Sequence, residues 1–184
     1  MTRSAEPTAR VFFALLPPPA AQRVLGDLAR DTARRAHGRP VPAGNIHLTL
    51  AFIGVWPIAR MPMLLDVPLD VGGASMHIVL DELGAFRRAG IAWIGSSSPP
   101  KALLQLQSML ASALRNAGVA FDDVQPYRPH LTLARRCRGP YPQGATTPVA
   151  FDVDRFSLMG SETRAEGARY RELGHWPLRT GTRG

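Results

Sequence analysis

The chain has 184 residues, 45% of them apolar, which is enough for one domain, or two small lobes sharing a core, with a real hydrophobic interior. Lys and Arg outnumber Asp and Glu by 22 to 14, a formal net charge of +8, and all basic residues except Lys101 are Arg. Arg suits bidentate contacts with phosphate or carboxylate, although an Arg-rich proteome would produce the same bias. The single Cys137 excludes an internal disulfide and a thiolate metal cluster, so we expect a reducing, cytoplasmic compartment.

Membrane and secretion segments are not expected in this sequence. No stretch approaches the 18 or so apolar residues of a membrane span, and residues 1–10 lack the apolar segment of a secretion signal. Residues 1–8 and 179–184 are expected to be tails outside the fold.

The first predicted element is a buried strand over residues 10–19, which three prolines end because Pro cannot donate to a sheet ladder. Apolar residues at helical spacing and a final Gly predict a helix over 20–38. Residues 45–54 are typical of a strand. Residues 55–73 carry three prolines and predict at most a short helix.

The second half of the chain continues the alternation of strands and helices. A proline opens and a Gly closes the clearest helix, over residues 99–118. Strands are predicted on either side of this helix, over 75–86, 90–97, 128–136, 149–160 and 168–178. Short connections favour hairpins, so at least part of the sheet is antiparallel. We therefore predict an α+β fold, a single domain over 1–184 made of two packed lobes, with a boundary between the lobes near 96–100.

One pentapeptide, His-Leu-Thr-Leu-Ala, occurs twice, starting at His47 and again at His130. In a strand, successive side chains alternate between faces, so each copy places its His and Thr together and its leucines in the core. A duplication kept only for packing would explain the leucines but not the repeated imidazole and hydroxyl. A metal shared by the two His is a poor zinc site, since no carboxylate or thiolate of suitable spacing accompanies them. We therefore interpret His47, Thr49, His130 and Thr132 as a catalytic set that needs no metal or other cofactor.

Cleavage of a phosphodiester by in-line attack matches this set of side chains. The reaction takes a proton from the attacking oxygen on one side of phosphorus and gives a proton to the leaving oxygen on the other. Histidine, with an ordinary pKa of about 6.5, can do either near neutral pH. Threonine hydroxyls can donate hydrogen bonds to the nonbridging oxygens. The pattern therefore predicts a phosphodiesterase whose two motifs face each other across a cleft.

The text around the motifs resembles that of a known family, the RNA 2',3'-cyclic phosphodiesterases, formerly called 2'-5' RNA ligases, of the two-histidine phosphoesterase superfamily. The similarity runs from about residue 10 to 178 and rests on segments that follow the order of that family: "RVFFALLPP", "NIHLTLAFIG", "LGAF" followed by "IAWIG", "YRPHLTLARR" and a closing "Y.EL..WPL". It implies a bilobal α+β fold, in which two pseudo-symmetric antiparallel sheets line a central cleft and helices lie outside.

The resemblance also implies roles for the motif residues. His47 would be the general acid that protonates the departing O3', and His130 the base that activates water, so that a 2',3'-cyclic phosphate opens to a 2'-phosphate without metal. The pseudo-symmetry leaves acid and base interchangeable, and they exchange in the reverse, ligating direction. Thr49 and Thr132 would bind the phosphate. The expected substrates are RNA with 2',3'-cyclic phosphate ends or cyclic nucleotides.

A phosphate-binding arginine is expected five residues after the second His, which by the resemblance is Arg135. Strict alternation places Arg135 on the leucine face and Arg136 on the face of His130, so Arg136 is the alternative unless a bulge or strand end intervenes. A third interpretation assigns both to a solvated basic run over 134–138.

Three aromatic residues are candidates for stacking on a base, as in single-strand RNA sites: Tyr127, Phe13 and Phe12. Core packing is the alternative duty for the two phenylalanines. The remaining histidines, His37, His77 and His175, have no matching partner and are interpreted as structural or surface residues.

Two other functions stay open at this point, a phosphodiesterase for small cyclic nucleotides and an RNA-end binding module without turnover. The intact His and Thr pairs disfavour the second. We expect a monomer, with no obligate protein partner and no membrane contact.

Overall fold

The computed structural model describes residues 6–164 and 167–179. Within these ranges the main elements are nine strands and three α-helices. In chain order they are β1 (Thr8–Leu15), α1 (Pro19–Arg35), β2 (Arg39–Pro40), β3 (Leu48–Pro57), α2 (Met61–Asp66), β4 (Met76–Phe86), β5 (Ile91–Gly95), α3 (Lys101–Asn116), β6 (His130–Arg135), β7 (Gly144–Val153), β8 (Arg155–Arg164) and β9 (Gly167–Pro177). The predicted order is confirmed, except that β2 was not foreseen and the strand expected over 149–160 is broken at Asp154 into β7 and β8.

The strands lie in the order β7-β4-β5-β6-β3-β1-β8-β9, all paired antiparallel, with β2 attached to β6. This confirms the α+β fold. The sheet consists of two four-stranded halves, here called lobe 1 (β3, β1, β8, β9) and lobe 2 (β6, β5, β4, β7). Among the described residues, the two halves pair at one position, Leu48 with Leu131. The motif strands β3 and β6 are therefore the joint between the lobes.

The lobes do not follow one another along the chain. The last two strands, β8 and β9, belong to lobe 1, whereas β4 and β5, which precede residues 96–100, belong to lobe 2. The helices cross over as well, since α1 packs against β2 and β6 of lobe 2 and α3 packs against β3 of lobe 1. The lobe boundary predicted near 96–100 is therefore wrong, because β8 and β9, from the second half of the chain, complete lobe 1, and α1, from the first half, packs on lobe 2.

Helices α1 and α3 exist because each presents an apolar stripe to the sheet. Both begin directly after a proline, which suits a first helical turn. The stripe of α3 recurs every three or four residues, as a helix requires, at Leu103, Leu106, Leu110 and Leu114, and none of these has exposed surface. Each such leucine contributes about 1.5–3 kcal/mol on burial. The core thus lies between the helices and one face of the sheet, which leaves the other face for function.

The chain ends are more ordered than expected where the structure describes them. Thr8 pairs with Pro57 in β1, and the backbone N–H of Arg179 donates to the carbonyl of Gly73 at 2.8 Å. Residues 8 and 179 are therefore not tails, and residues 1–5 and 180–184 lie outside the described chain.

Candidate active site

The four repeated side chains come together at the joint between the lobes. Pairing of Leu48 with Leu131 in an antiparallel register brings His47 beside Thr132 and Thr49 beside His130. Opposite residues on one face have Cβ atoms about 4.5–5.5 Å apart, and diagonal ones about 7–8 Å. These four residues, the His–Thr quartet, are half-buried, whereas the leucines between them are buried. The two imidazoles thus occupy a diagonal of the quartet, a spacing that can hold one phosphate.

Matching hydrogen bonds orient the two imidazole rings. Nδ1 of His47 lies 2.7 Å from the carbonyl oxygen of Asn45, and Nδ1 of His130 lies 2.8 Å from that of Arg128. Because a carbonyl only accepts, each Nδ1 carries the hydrogen and donates it. The carbonyl stands two residues before the ring in each case, and Pro129 keeps Arg128 extended for this bond. Nε2 is therefore the nitrogen that exchanges protons with a ligand on each ring.

Aromatic side chains from other strands of the sheet cover both imidazoles. The ring of His47 stacks on Phe12 at 4.5 Å between centroids and meets the edge of Tyr170 at 5.3 Å. His130 contacts Phe86 at 5.0 Å, and Trp93 lies 6.1 Å away. Most of these contacts have no local signal in the sequence, because Tyr170, Phe86 and Trp93 are far from the motifs along the chain.

This environment favours the neutral form of both rings. Burial lowers the pKa of His47 to about 4, against the raising effect of the Asn45 carbonyl, and the charges of Arg135 and His130 lower it further. Burial also lowers the pKa of His130, and Arg128 and Arg135 add to that decrease. The effect of His130 on the pKa of His47 agrees with their diagonal placement in the quartet.

Arg135, rather than Arg136, faces the quartet. Ala92 pairs with Ala134 while the next residue, Trp93, pairs with Thr132, so β6 has one extra residue, a β-bulge at Leu133. Leu133 and Ala134 are consequently both buried, the alternation shifts by one, and Arg135 acts on the pKa of both His. Arg136 lies beyond the strand end at φ 55°. The predicted location of Arg135 is therefore supported, and its contact with phosphate stays a prediction.

The first motif carries the same bulge but ends differently. Phe13 pairs with Ala51 and Ala14 with Thr49, which leaves Leu50 as the extra residue of β3. The position five residues after His47, equivalent to Arg135, is Phe52, and the guanidinium of Arg10 lies over its ring at 5.5 Å. The site is therefore asymmetric, because Arg135 follows the second motif and Phe52 stands at the equivalent position after the first.

The aromatic candidates need correction. Phe13 has no exposed surface and packs in the main core near Trp176, so its predicted stacking on a base is wrong; Phe12, its neighbour on the opposite face, lies against His47. Tyr127 packs against the core, and its hydroxyl donates to the carbonyl of Thr49 at 2.8 Å. Burial raises the pKa of Tyr127. Tyr127 therefore ties the segment before the second motif to the first motif, and base stacking by its ring stays a prediction.

The residues without an assigned role lie apart from the quartet. His77 pairs with Asp152 and His175 with Glu172, all on the surface or half-exposed. Cys137 is buried, which raises the pKa of its thiol. Within the described ranges, no cluster of three or more His, Cys, Asp or Glu could hold a metal ion. No helix in that part of the chain is long and apolar enough to cross a membrane.

Comparison with known proteins settles the family. The model of the 2'-5' RNA ligase superfamily matches residues 16–165. The chain belongs to this superfamily. Its relatives in the superfamily include an RNA 2',3'-cyclic phosphodiesterase of Escherichia coli strain K12, 31% identical over 92% of this chain and 96% of the relative. Another, of the same description, from Thermus thermophilus, is 29% identical over 92% of this chain and 90% of the relative.

Solved superfamily structures share the fold. A crystal structure of Escherichia coli LigT complexed with 3'-AMP has a TM-score of 0.83 and 29% identity, covering 94% of this chain and 99% of LigT. The family predicted from the doubled motif is therefore confirmed, over nearly the whole chain.

Proposed function

We propose that this superfamily member is an RNA 2',3'-cyclic phosphodiesterase that opens cyclic ends to 2'-phosphates, with His47 and His130 as the acid and base. The observation that carries the proposal is the pairing of Leu48 with Leu131, which sets each His beside the Thr of the other motif. The two curated relatives named for this activity support the choice of reaction.

The reaction assigns one task to each side chain. His130 takes a proton from water through Nε2, the water oxygen bonds to phosphorus, the bond from phosphorus to O3' breaks, and His47 protonates O3'. Thr49 and Thr132 donate hydrogen bonds to the nonbridging oxygens, and the guanidinium of Arg135 stabilises the charge that grows there. With a 5'-hydroxyl in place of water, the same steps join that hydroxyl to the cyclic phosphate, which is a 2'-5' ligation, and the two His keep their roles rather than exchange them.

Because the pKa values are lowered, the bound substrate is needed to protonate the general acid. With a pKa of about 4, His47 is neutral at pH 7, and protonating it there costs about 4 kcal/mol in the free protein. A bound phosphate anion offsets this cost because opposite charges attract strongly in a partly dehydrated site. Substrate binding is therefore coupled to proton uptake, and the empty site stays unprotonated.

Single substitutions test the assignment. His47→Ala and His130→Ala should each lose nearly all hydrolysis of adenosine 2',3'-cyclic phosphate, measured in EDTA by chromatography of the 2'-AMP product. His37→Asn, at an exposed site outside the quartet, should behave as the wild type. Retained activity in either alanine variant, with its thermal melt unchanged, overturns the role of that His.

The substrate range follows from the same assay. A cyclic-phosphate-ended oligonucleotide should react with a higher kcat/KM than the mononucleotide, and added salt should reduce that advantage if Arg side chains contact its other phosphates. Equal values for both substrates would favour a phosphodiesterase for small cyclic nucleotides. Binding without turnover would favour an RNA-end binding module. A monomeric state and a cytoplasmic location stay predictions.

A further inference from the structure

A cavity of about 300 Å³ is lined by Pro129, the residue before His130, and by Gly95, which pairs with His130 across the sheet. In the sheet, β6 has β3 and His47 on one side and β5 on the other. The cavity is lined by residues of β4 and β5, among them Glu82 and Gly95, and by Arg128 and Pro129 just before the ring. It therefore lies on the flank of His130 that faces away from the joint between the lobes.

The missing side chain of Gly95 opens this space. Gly95 pairs directly with His130 on one side and with Glu82 on the other, so the three positions form a row on one face of the sheet. A Cβ at Gly95 would approach the carbonyl of Pro129 to 3.0 Å and the ring of Trp93 to 3.1 Å. The row thus consists of His130, the proposed base, then Gly95, which has no side chain, and then Glu82, which carries a carboxylate.

The walls of the cavity have the character of a nucleoside site. Trp93, which is buried, and Tyr127, which is half-buried, supply apolar surface, and prolines add more. Glu82 and Arg128 also line it, and both are exposed. The carboxylate of Glu82 accepts hydrogen bonds, and the guanidinium of Arg128, which carries the opposite charge, donates them. Apolar walls with a few polar groups are typical of small-ligand sites, and a carboxylate at the border disfavours a second phosphate.

We propose that this cavity binds a second nucleoside, the one whose 5'-hydroxyl attacks phosphorus in place of water when the enzyme ligates. This inference rests on the proposed function, with His130 as the base. His130 takes the proton of the 5'-hydroxyl, O5' bonds to phosphorus, the bond to O3' breaks, and His47 protonates O3', which leaves a 2'-5' linkage. The reverse steps cleave that linkage. When water is the nucleophile, the cavity has no part in the reaction.

The test compares two substrates in one variant. Ser96→Phe fills the cavity from its border, and Ser112→Phe, on the exposed face of α3, is the matched control. The first substrate is adenosine 2',3'-cyclic phosphate, hydrolysed by water. The second is the 2'-5' diadenosine monophosphate, whose cleavage releases a nucleoside from the cavity. Ser96→Phe should lower kcat/KM for the dinucleotide by about tenfold or more, the effect of losing contacts to one base, and leave that for the cyclic phosphate unchanged.

A second variant tests the proposal in case Ser96→Phe does not fold. Glu82→Gln, which keeps the shape of an exposed side chain, should also weaken dinucleotide cleavage selectively, through a higher KM. Equal losses on both substrates in properly folded Ser96→Phe would mean that the cavity holds the base of the cyclic nucleotide itself, and would overturn the proposal. So would an unchanged rate on both, or a wild-type protein that leaves the dinucleotide intact. Failure of the wild type to hydrolyse the cyclic phosphate would instead reject the proposed function.

Discussion

Lowering the pH from 7.5 to 5 should destabilise the fold by about 2 kcal/mol through His47 alone. Burial lowers the pKa of this group from its ordinary 6.5 to about 4. Between these two values the unfolded chain binds a proton that the folded protein does not, so stability is fully present above pH 6.5 and is lost as the pH falls toward 4. At about 1.4 kcal/mol per pH unit the complete loss is about 3 kcal/mol, most of it expressed by pH 5.

Urea unfolding at several pH values measures this loss. The free energy of unfolding of the wild type should fall more steeply between pH 7.5 and 5 than that of His47→Gln, by the same 2 kcal/mol or so. His37→Asn is the control, because His37 is exposed at φ 48°, a conformation that Asn adopts readily. If His47→Gln and the wild type lose stability equally, His47 is not held neutral by burial and the description of the site is wrong.

Three further outcomes follow from the quartet and its bulge. Because burial lowers the pKa of both His, kcat/KM for a cyclic nucleotide should peak below pH 6.5 and fall above it, and a peak at or above pH 7 would contradict this. Arg135→Gln should lower kcat/KM strongly and raise the pKa of both imidazoles in an NMR titration, whereas Arg136→Gln, the adjacent control, should do neither; the reverse pattern would favour Arg136. Thr49→Val and Thr132→Val should each reduce kcat by about tenfold to a thousandfold, the range for one lost transition-state hydrogen bond, and an effect confined to KM would count against that role.

Period-two alternation was enough to predict the quartet, because both copies of the motif keep strict alternation from His to the second Leu. The same rule failed for Arg135, since the bulge at Leu133 adds a residue without any Gly or Pro to mark it. It also failed to separate Phe12 from Phe13, because two adjacent apolar residues do not show which face holds the core. The quartet can therefore be predicted from the local sequence pattern, whereas the residues around it can be placed only when the strand pairing is known.

The break between β7 and β8 did leave a trace in the sequence. Apolar residues alternate at Val149, Phe151 and Val153, and two charged residues, Asp154 and Arg155, then interrupt the alternation before Phe156. A predicted strand whose alternation is interrupted in this way should be divided there. The crossing of helices between lobes left no such trace, because an apolar helix stripe does not specify which sheet it covers.

Lobe 1 is completed by the last two strands of the sheet, because β1, which carries Phe12, has β8 as its second neighbour and Tyr170 of β9 covers His47. The strands that cover His130, β4 and β5, precede it in the chain. As the chain is synthesised, the surroundings of His130 are therefore made before those of His47. We expect a chain cut after β7 to lack the aromatic cover that holds His47 neutral.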